Sequence, residues 1–231
     1  MSSQITLEGF LALVPELSIL LLIVAVLSYD RILPPAQRRR AGLLAGWGSF
    51  VILLLTVGIW LFLGEPDTTR TLPESLLWGG MIRQDLITLI FRVMFLIAVT
   101  LVSLISLDVP ALQRGEYFAL LLTATLGFSL MAASADVIML FLALETASIS
   151  LYILAGFLTD DRRSTEAGMK YFILGALSSG MLLYGASLVY GFAGTTSFAG
   201  IAAAVGCADG APVGVLVGLV FILSSFAFKV S

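Results

Sequence analysis

The chain of 231 residues has no histidine and a single cysteine, Cys207. The lack of histidine excludes haem ligation by imidazole, most zinc sites and imidazole proton relays. A lone cysteine excludes an internal disulfide and any cysteine-based metal or iron–sulfur site. Charged residues are also scarce, at 12%, where soluble proteins have about 25%. Any proton chemistry in this chain must therefore use carboxylates, lysines, hydroxyls and water.

Apolar residues make up 59% of the chain, and the mean hydropathy is +1.07. Since soluble domains are about 45–50% apolar, this composition excludes a soluble domain and a disordered chain. The net charge of −3 offers no basic surface for nucleic acid. The N-terminus lacks the basic start of a cleavable signal peptide, so the first apolar stretch is interpreted as a retained membrane segment. The sequence predicts an all-α, polytopic membrane protein.

Seven apolar stretches approach the length of about 20 residues that a helix needs to cross a bilayer. They are, roughly, residues 9–29, 41–63, 85–107, 117–134, 137–158, 166–191 and 212–231. Only residues 135–136 separate the fourth stretch from the fifth, which predicts a tight antiparallel hairpin. The seventh stretch is still apolar at Ser231, and we interpret this as truncation within the seventh helix of a longer protein.

The arginines lie mostly on one side of the predicted membrane. Seven follow the first, third and fifth segments, and two lie on the opposite side: Arg31, Arg38, Arg39, Arg40, Arg114, Arg162 and Arg163 against Arg70 and Arg83. Because arginine and lysine are enriched in cytoplasmic loops, this distribution predicts an outward N-terminus. Residues 159–165 (TDDRRST) are then cytoplasmic.

Ionisable residues inside membrane segments are costly and usually functional, at about 2.5–3.5 kcal/mol for a charge at the bilayer centre. Glu145 lies near the middle of the fifth segment, too far from either interface for a glutamate side chain to reach water. It is interpreted either as a protonatable carboxyl in a transport path or as a structural carboxylate paired with a neighbouring helix. The first interpretation is favoured.

Two lysines differ in their surroundings. Lys229 follows an unbroken apolar run and two hydroxyls, so its partners must lie on other helices or in a water-filled cavity, which favours proton exchange. Lys170 comes early in the sixth segment, four residues after Glu166. That spacing suits a local ion pair on one helix face, and a functional role is left equally open.

Two other charges are given structural interpretations. Arg92 lies two turns after Asp85 on roughly the same face, which favours an ion pair that anchors the third segment. Glu16 follows Pro15, which favours a kinked helix end over a functional carboxylate. Small residues four apart, such as Gly175 and Ser179, allow close helix packing and indicate a packed bundle.

Several runs of sequence resemble subunit N of the proton-pumping NADH:quinone oxidoreductase, respiratory complex I. They are ALVPELSILLLIVAVLSYD, DLITLIFRVMFLIA, GEYFALLLTATLGFSLMAAS, LALETASISLYILAGF and RRSTEAGMKYFILGALSSGMLLYGASLVYGFAGTTSF. The likeness covers essentially the whole chain. It implies an antiporter-like fold with an N-terminal three-helix membrane region, residues 1–116, and the first part of a helical repeat, residues 117–231.

The resemblance also assigns roles. Glu145 in LALET matches the family's fifth-helix glutamate, Lys170 in GMKYF its sixth-helix lysine, and Lys229 in FAFK its lysine at the break of a discontinuous seventh helix. It implies a proton-translocating membrane subunit of an enzyme complex in the cell inner membrane, with the N-terminus in the periplasm and other membrane subunits as partners. NADH, FMN, iron–sulfur clusters and quinone would belong to the parent complex, with no cofactor, metal or redox chemistry in this chain. The alternatives are a cation/proton antiporter subunit of the same superfamily and a non-conducting scaffold subunit.

Overall fold

A computed structural model describes residues 7–32, 34, 38–63, 75–206 and 212–230. Arg70, Cys207 and Ser231, which entered the sequence interpretation, lie outside the described residues. The helices of the described part are α1 (Leu7–Ala12), α2 (Val14–Ile32), α3 (Arg39–Leu63), α4 (Leu86–Ser106), α5 (Gly115–Ala132), α6 (Val137–Ala155), α7 (Arg162–Ala193), α8 (Phe198–Val205) and α9 (Val213–Val230). A two-stranded antiparallel sheet, β1 (Ser75–Leu77) and β2 (Ile82–Gln84), precedes α4.

Six helices of the described part, α3, α4, α5, α6, α7 and α9, are long and apolar enough to cross a membrane. The predicted first segment corresponds to α1 and α2. With 19 residues α2 has the length, but it carries three charged residues, Glu16, Asp30 and Arg31. The kink expected at Pro15 is present as a one-residue break at Leu13 between α1 and α2. The chain is thus an all-α, multi-pass membrane protein, as predicted.

The predicted hairpin between the fourth and fifth segments is confirmed, because α5 and α6 pack together across a short turn. Gly127 makes that packing close, since a Cβ there would lie 2.6 Å from the backbone nitrogen of Ala147 on α6. Only a residue without a side chain fits at this approach. The turn therefore brings α6, which carries Glu145, directly against α5.

Backbone hydrogen bonds tie the α5–α6 turn to its neighbours at one end of the bundle. The Arg83 N–H donates to Ala133 O (2.7 Å), and the Ala135 N–H donates to Met81 O (2.8 Å). On the other side of the turn, the Phe198 N–H donates to Ala135 O (3.1 Å). The sheet and the start of α8, which hydropathy alone did not predict, thus satisfy backbone groups at the ends of the membrane helices.

The apolar core lies among α2, α3, α4 and α5. Ile19 and Val26 of α2, Leu96 of α4, and Phe118 and Leu122 of α5 are nearly or fully buried in it. Beyond this core, α6 packs on α5, α7 packs on α6, and α9 packs on α7. The molecule is therefore a series of helices in contact, and the candidate site lies where α6, α7 and α9 meet.

One ion pair joins two of the arginine-bearing connections. Arg39, at the start of α3, lies 3.8 Å from Asp108 in the α4–α5 connection, with both side chains exposed. These two connections therefore share one end of the bundle, as the arginine distribution predicts.

Candidate functional site

Glu145 and Lys229, 84 residues apart in sequence, form an ion pair inside the bundle. Glu145 is the ninth residue of α6, and Lys229 lies in the last turn of α9. The Lys229 Nζ is 3.2 Å from Glu145 Oε1, and the side chains are only 11% and 21% exposed. The structure thus brings together two residues that the sequence had singled out.

Three hydroxyls surround this pair. The Ser179 hydroxyl donates to Glu145 Oε1 at 2.6 Å. The Lys229 Nζ donates to Ser148 Oγ at 2.9 Å, lies 3.3 Å from Ser179 Oγ and is 3.5 Å from the Tyr152 hydroxyl. All three hydroxyl residues are buried, so the ammonium and the carboxylate are solvated mainly by protein groups.

The sequence interpretation missed these hydroxyl residues, although α6 carries a signal for two of them. Ser148 and Tyr152 stand three and seven residues after Glu145, which places all three on one face of a helix. Polar residues at that spacing in an otherwise apolar membrane helix indicate a shared polar contact. Ser179 has no such signal, because it is on α7 and meets the pair only through helix packing.

Close approach of α7 to its neighbours positions the pair. A Cβ on Gly175 would overlap the ring of Tyr152, so the glycine gives that ring its space. Further along, a Cβ on Gly185 would lie 2.6 Å from Gly218 O, which shows that the α7 and α9 backbones are almost in contact. The packed bundle indicated by small residues is therefore present around the site.

A buried hydroxyl pair also joins α7 to α9, one helical turn before Lys229. The Ser178 and Ser225 hydroxyls are 2.9 Å apart, and the Ser178 hydroxyl lies 3.1 Å from Ser225 O. Both residues are buried. This pair fixes the α9 turn that carries Lys229 against the α7 turn that carries Ser179.

Lys170 lies elsewhere. Its Nζ is 2.5 Å from Glu166 Oε1 on the same helix, and the side chains are 70% and 56% exposed. Nine residues separate Lys170 from Ser179 on α7, which is about 13 Å along the helix axis at 1.5 Å per residue. The structure therefore forms the local ion pair and does not bring Lys170 to Glu145.

The sequence analysis predicted the wrong ion-pair partner, Asp85, for Arg92. The Arg92 Nη2 is 2.7 Å from Glu16 Oε1, and both side chains are 5% exposed. The Ser129 hydroxyl of α5 donates to the same carboxylate oxygen at 2.6 Å. Glu16 therefore lies at the kinked helix end, as expected, and is also the buried ion-pair partner of Arg92.

Asp85 instead caps α4 and pairs with Arg83. Its Oδ1 accepts from the Thr88 N–H at 2.8 Å, and its Oδ2 is 2.8 Å from Arg83 Nε. Burial raises the pKa of Asp85, but the hydrogen bonds from Thr88 and the Arg83 charge outweigh it, so this pKa lies below its ordinary value.

We expect Asp85→Ala to lower the free energy of unfolding by about 1 kcal/mol, since it removes the cap of α4. Asp85→Asn should cost less, because asparagine retains the cap acceptor. Since the folded pKa is depressed, the ionised carboxylate stabilises the protein at neutral pH and this stabilisation is lost as pH falls through the folded pKa. Thermal unfolding in detergent across an acidic pH series measures the difference, and a gap between the wild type and Asp85→Asn that widens in acid would contradict it.

The arrangement around Lys229 is suited to moving a proton. An ammonium can release a proton, a carboxylate can accept one, and hydroxyl groups both donate and accept hydrogen bonds. The fold and site thus define a multi-pass membrane protein with a lysine–carboxylate pair inside its helix bundle.

Comparison with known proteins found relatives of this chain. A family profile described as "NADH:quinone oxidoreductase/Mrp antiporter, TM" matches residues 134–231. NADH-quinone oxidoreductase subunit N of Parvibaculum lavamentivorans is 38% identical over 229 residues, covering 98% of this chain and 45% of the relative. Subunit N 1 of Rhizobium meliloti is 41% identical over 216 residues, covering 91% of this chain and 41% of the relative.

Solved structures show the same fold. A chain of respiratory complex I from Thermus thermophilus with bound aureothin superposes with a TM-score of 0.69 and 25% identity, over 93% of this chain and 43% of that one. A chain of an archaeal membrane-bound sulfane sulfur reductase superposes with a TM-score of 0.72 and 24% identity, over 95% of this chain and 44% of that one. Over nearly its whole length the chain is similar to NADH-quinone oxidoreductase subunit N. It spans about half the length of the curated relatives it matches.

Proposed function

We propose that this chain is part of a proton-translocating membrane subunit of an NADH:quinone oxidoreductase. The observation that carries the proposal is the Lys229–Glu145 ion pair, held by hydroxyls at the junction of three membrane helices. A redox event elsewhere in the complex would drive transport by changing the hydration or separation of this pair. Opening the contact removes the stabilisation of both charges, and either group can then exchange its proton.

The redox chemistry is assigned to other subunits. NADH, FMN, iron–sulfur clusters and quinone would be bound elsewhere in the parent complex, and other membrane subunits would be the direct partners of this chain. We further propose that residues 117–231 form the start of the antiporter-like repeat, since Glu145, Lys170 and Lys229 all lie there. Residues 1–116 would then form a separate three-helix membrane region.

We further infer that the protein lies in the cell inner membrane with its N-terminus in the periplasm. The support for this orientation is the concentration of arginines at one end of the bundle, where Arg39 meets Asp108, because such residues favour the cytoplasmic side. The Lys170–Glu166 pair at the start of α7 would face the cytoplasm, while the sheet and the α5–α6 turn would face outward.

The full-length protein in its complex provides the test. Inverted vesicles should take up protons on addition of NADH, and vesicles from cells without the protein should not. Sodium-dependent exchange in a preparation without NADH dehydrogenase activity would support a cation/proton antiporter subunit instead. Full pumping after loss of the Glu145 carboxylate, with normal assembly, would support the scaffold alternative.

Lys170→Ala should reduce proton transport less than Lys229→Ala. Its side chain is exposed and, among the described residues, forms its ion pair with Glu166, so water can replace the ammonium. An exposed i,i+4 pair stabilises a helix by only about 0.3–0.5 kcal/mol. Proton uptake normalised to the amount of assembled complex measures the effect. Loss of uptake in Lys170→Ala, with uptake retained in Lys229→Ala, would reverse the assigned order of the two lysines.

A further inference from the structure

A small cavity lies beside the buried Arg92–Glu16 ion pair, between α1, α2, α3 and the start of α4. Its volume is about 20 Å³, and it has polar as well as apolar walls. The polar side chains are Thr56 and Trp60 of α3, Gln84 and Asp85 before α4, and Arg92 of α4. A single water requires about 10–15 Å³ and two to four polar partners, so the cavity has room for one.

Two hydrogen-bond donors at this cavity lack a partner. Among the described residues, none accepts a hydrogen bond from Trp60 Nε1 or from Arg92 Nε, although both atoms are buried. The Arg92 Nη2, although 2.7 Å from Glu16 Oε1, is also without an aligned hydrogen bond. A buried donor without a partner costs about 1–3 kcal/mol, so a group that accepts from both side chains would stabilise the fold.

The kink at Pro15 supplies an acceptor at the same place. Proline has no N–H, so the carbonyl of Leu11, four residues earlier, cannot make its helical hydrogen bond. Both residues line the cavity. In membrane helices, ordered water is one of the groups that satisfy carbonyls freed by proline. The cavity therefore brings donors from α3 and α4 close to Leu11, to whose carbonyl Pro15 cannot serve as a donor.

The charges around the cavity favour a neutral ligand. Arg92 and the Trp60 N–H would repel a cation, while Asp85 and the nearby Glu16 would repel an anion. Thr56 already donates its hydroxyl proton to Ile52 O at 2.8 Å, which leaves its oxygen as a further acceptor. A ligand at this position must both accept and donate within the volume of one small molecule.

We propose that this cavity is a binding site for one structural water. The water accepts from Trp60 Nε1 and Arg92 Nε and donates to the Leu11 carbonyl, with the Thr56 oxygen as a second acceptor. By holding the Arg92 guanidinium in place, the water keeps Arg92 against Glu16. Ser129 of α5 donates to the Glu16 carboxylate as well. The water therefore stabilises the junction of α2 and α4 with α5.

The test is a cryo-electron microscopy map of the full-length protein in its complex, at a resolution that shows ordered water. A peak should lie at hydrogen-bond distance, about 2.7–3.2 Å, from both Trp60 Nε1 and Arg92 Nε. Trp60→Phe, which keeps an aromatic ring but removes the donor, should abolish the peak. Trp47→Phe is the matched control, because Trp47 is 62% exposed on the same helix, and it should leave the peak unchanged.

A second variant covers the case in which Trp60→Phe does not assemble. Arg92→Lys retains a cation for Glu16 but lacks the guanidinium Nε–H, and it should likewise remove the peak or displace it. A wild-type map that shows water at comparable depth elsewhere but none in this cavity would overturn the proposal. Retention of the peak at the same position in both variants would overturn it equally.

Discussion

Glu145→Gln is expected to leave the protein assembled and to lower NADH-driven proton transport by about tenfold or more, since a positioned proton-transfer group typically contributes about 10²–10⁴-fold. Glutamine fills similar space and can still accept the Ser179 hydrogen bond, so the packing of α6 against α7 is preserved. It cannot ionise, and it therefore removes the charge partner of Lys229. Proton uptake by inverted vesicles, divided by the amount of assembled complex, measures the effect.

Glu166→Gln provides the matched control for this change. It makes the same substitution on α7, where the Glu166 side chain is 56% exposed and pairs with Lys170 at the surface. We expect transport to remain close to that of the wild type. Equal transport in wild type, Glu166→Gln and Glu145→Gln, at equal assembly, would remove Glu145 from the proton path and favour a scaffold role.

The Glu145 and Glu16 ion pairs differ in their cation. Glu145 faces a lysine, whereas Glu16 faces an arginine at 2.7 Å. A guanidinium does not release its proton in proteins, while a lysine out of water exchanges its proton much more readily. In the proposed transport cycle, the pair among α6, α7 and α9 would therefore be the one that changes its charge state. The pair between α2 and α4 cannot do so through its cation, which fits its role as a fixed contact.

The candidate site could be predicted only in part from the sequence. Glu145 and Lys229 stood out because a charge in an apolar helix needs a reason, but the direct contact between them could not be derived from the sequence. That they are partners depends on how α9 packs against α7, which is set by glycines such as Gly185 and Gly218 in contact across the two helices. Apolar periodicity does not encode that register. The same limit led Arg92 to be paired with Asp85 rather than with Glu16.

The fold was predictable where length and hydropathy decide it. Apolar runs long enough to cross a bilayer predict the membrane helices, and the short gap between two such runs predicts the α5–α6 turn. The sheet and α8 do not follow from this rule, because they are short and their stability comes from tertiary contacts. The hydrogen bonds from the Arg83 N–H to Ala133 O and from the Ala135 N–H to Met81 O are examples. Such contacts join segments that are distant in sequence.

Lys229→Arg separates a charge requirement from a proton-exchange requirement. Arginine retains a cation for Glu145 and can donate to Ser148, so the ion pair and the assembly of the complex should survive. Because a guanidinium keeps its proton, transport should fall by about tenfold or more, comparable to removal of a proton-transfer group. If Lys229 serves only to hold helices together, Lys229→Arg should transport protons like the wild type.

Lys170→Arg and Lys229→Ala complete this comparison. Lys170 is exposed, and arginine there preserves the surface pair with Glu166, so uptake should remain near the wild-type level. Lys229→Ala leaves the half-buried Glu145 carboxylate without its cation, which is destabilising, so both assembly and transport should decline. The informative result is therefore Lys229→Arg, in which assembly is retained and transport is lost. Wild-type transport in that variant would show that position 229 needs only a positive charge, and the proposed role of Lys229 as a proton carrier would be wrong.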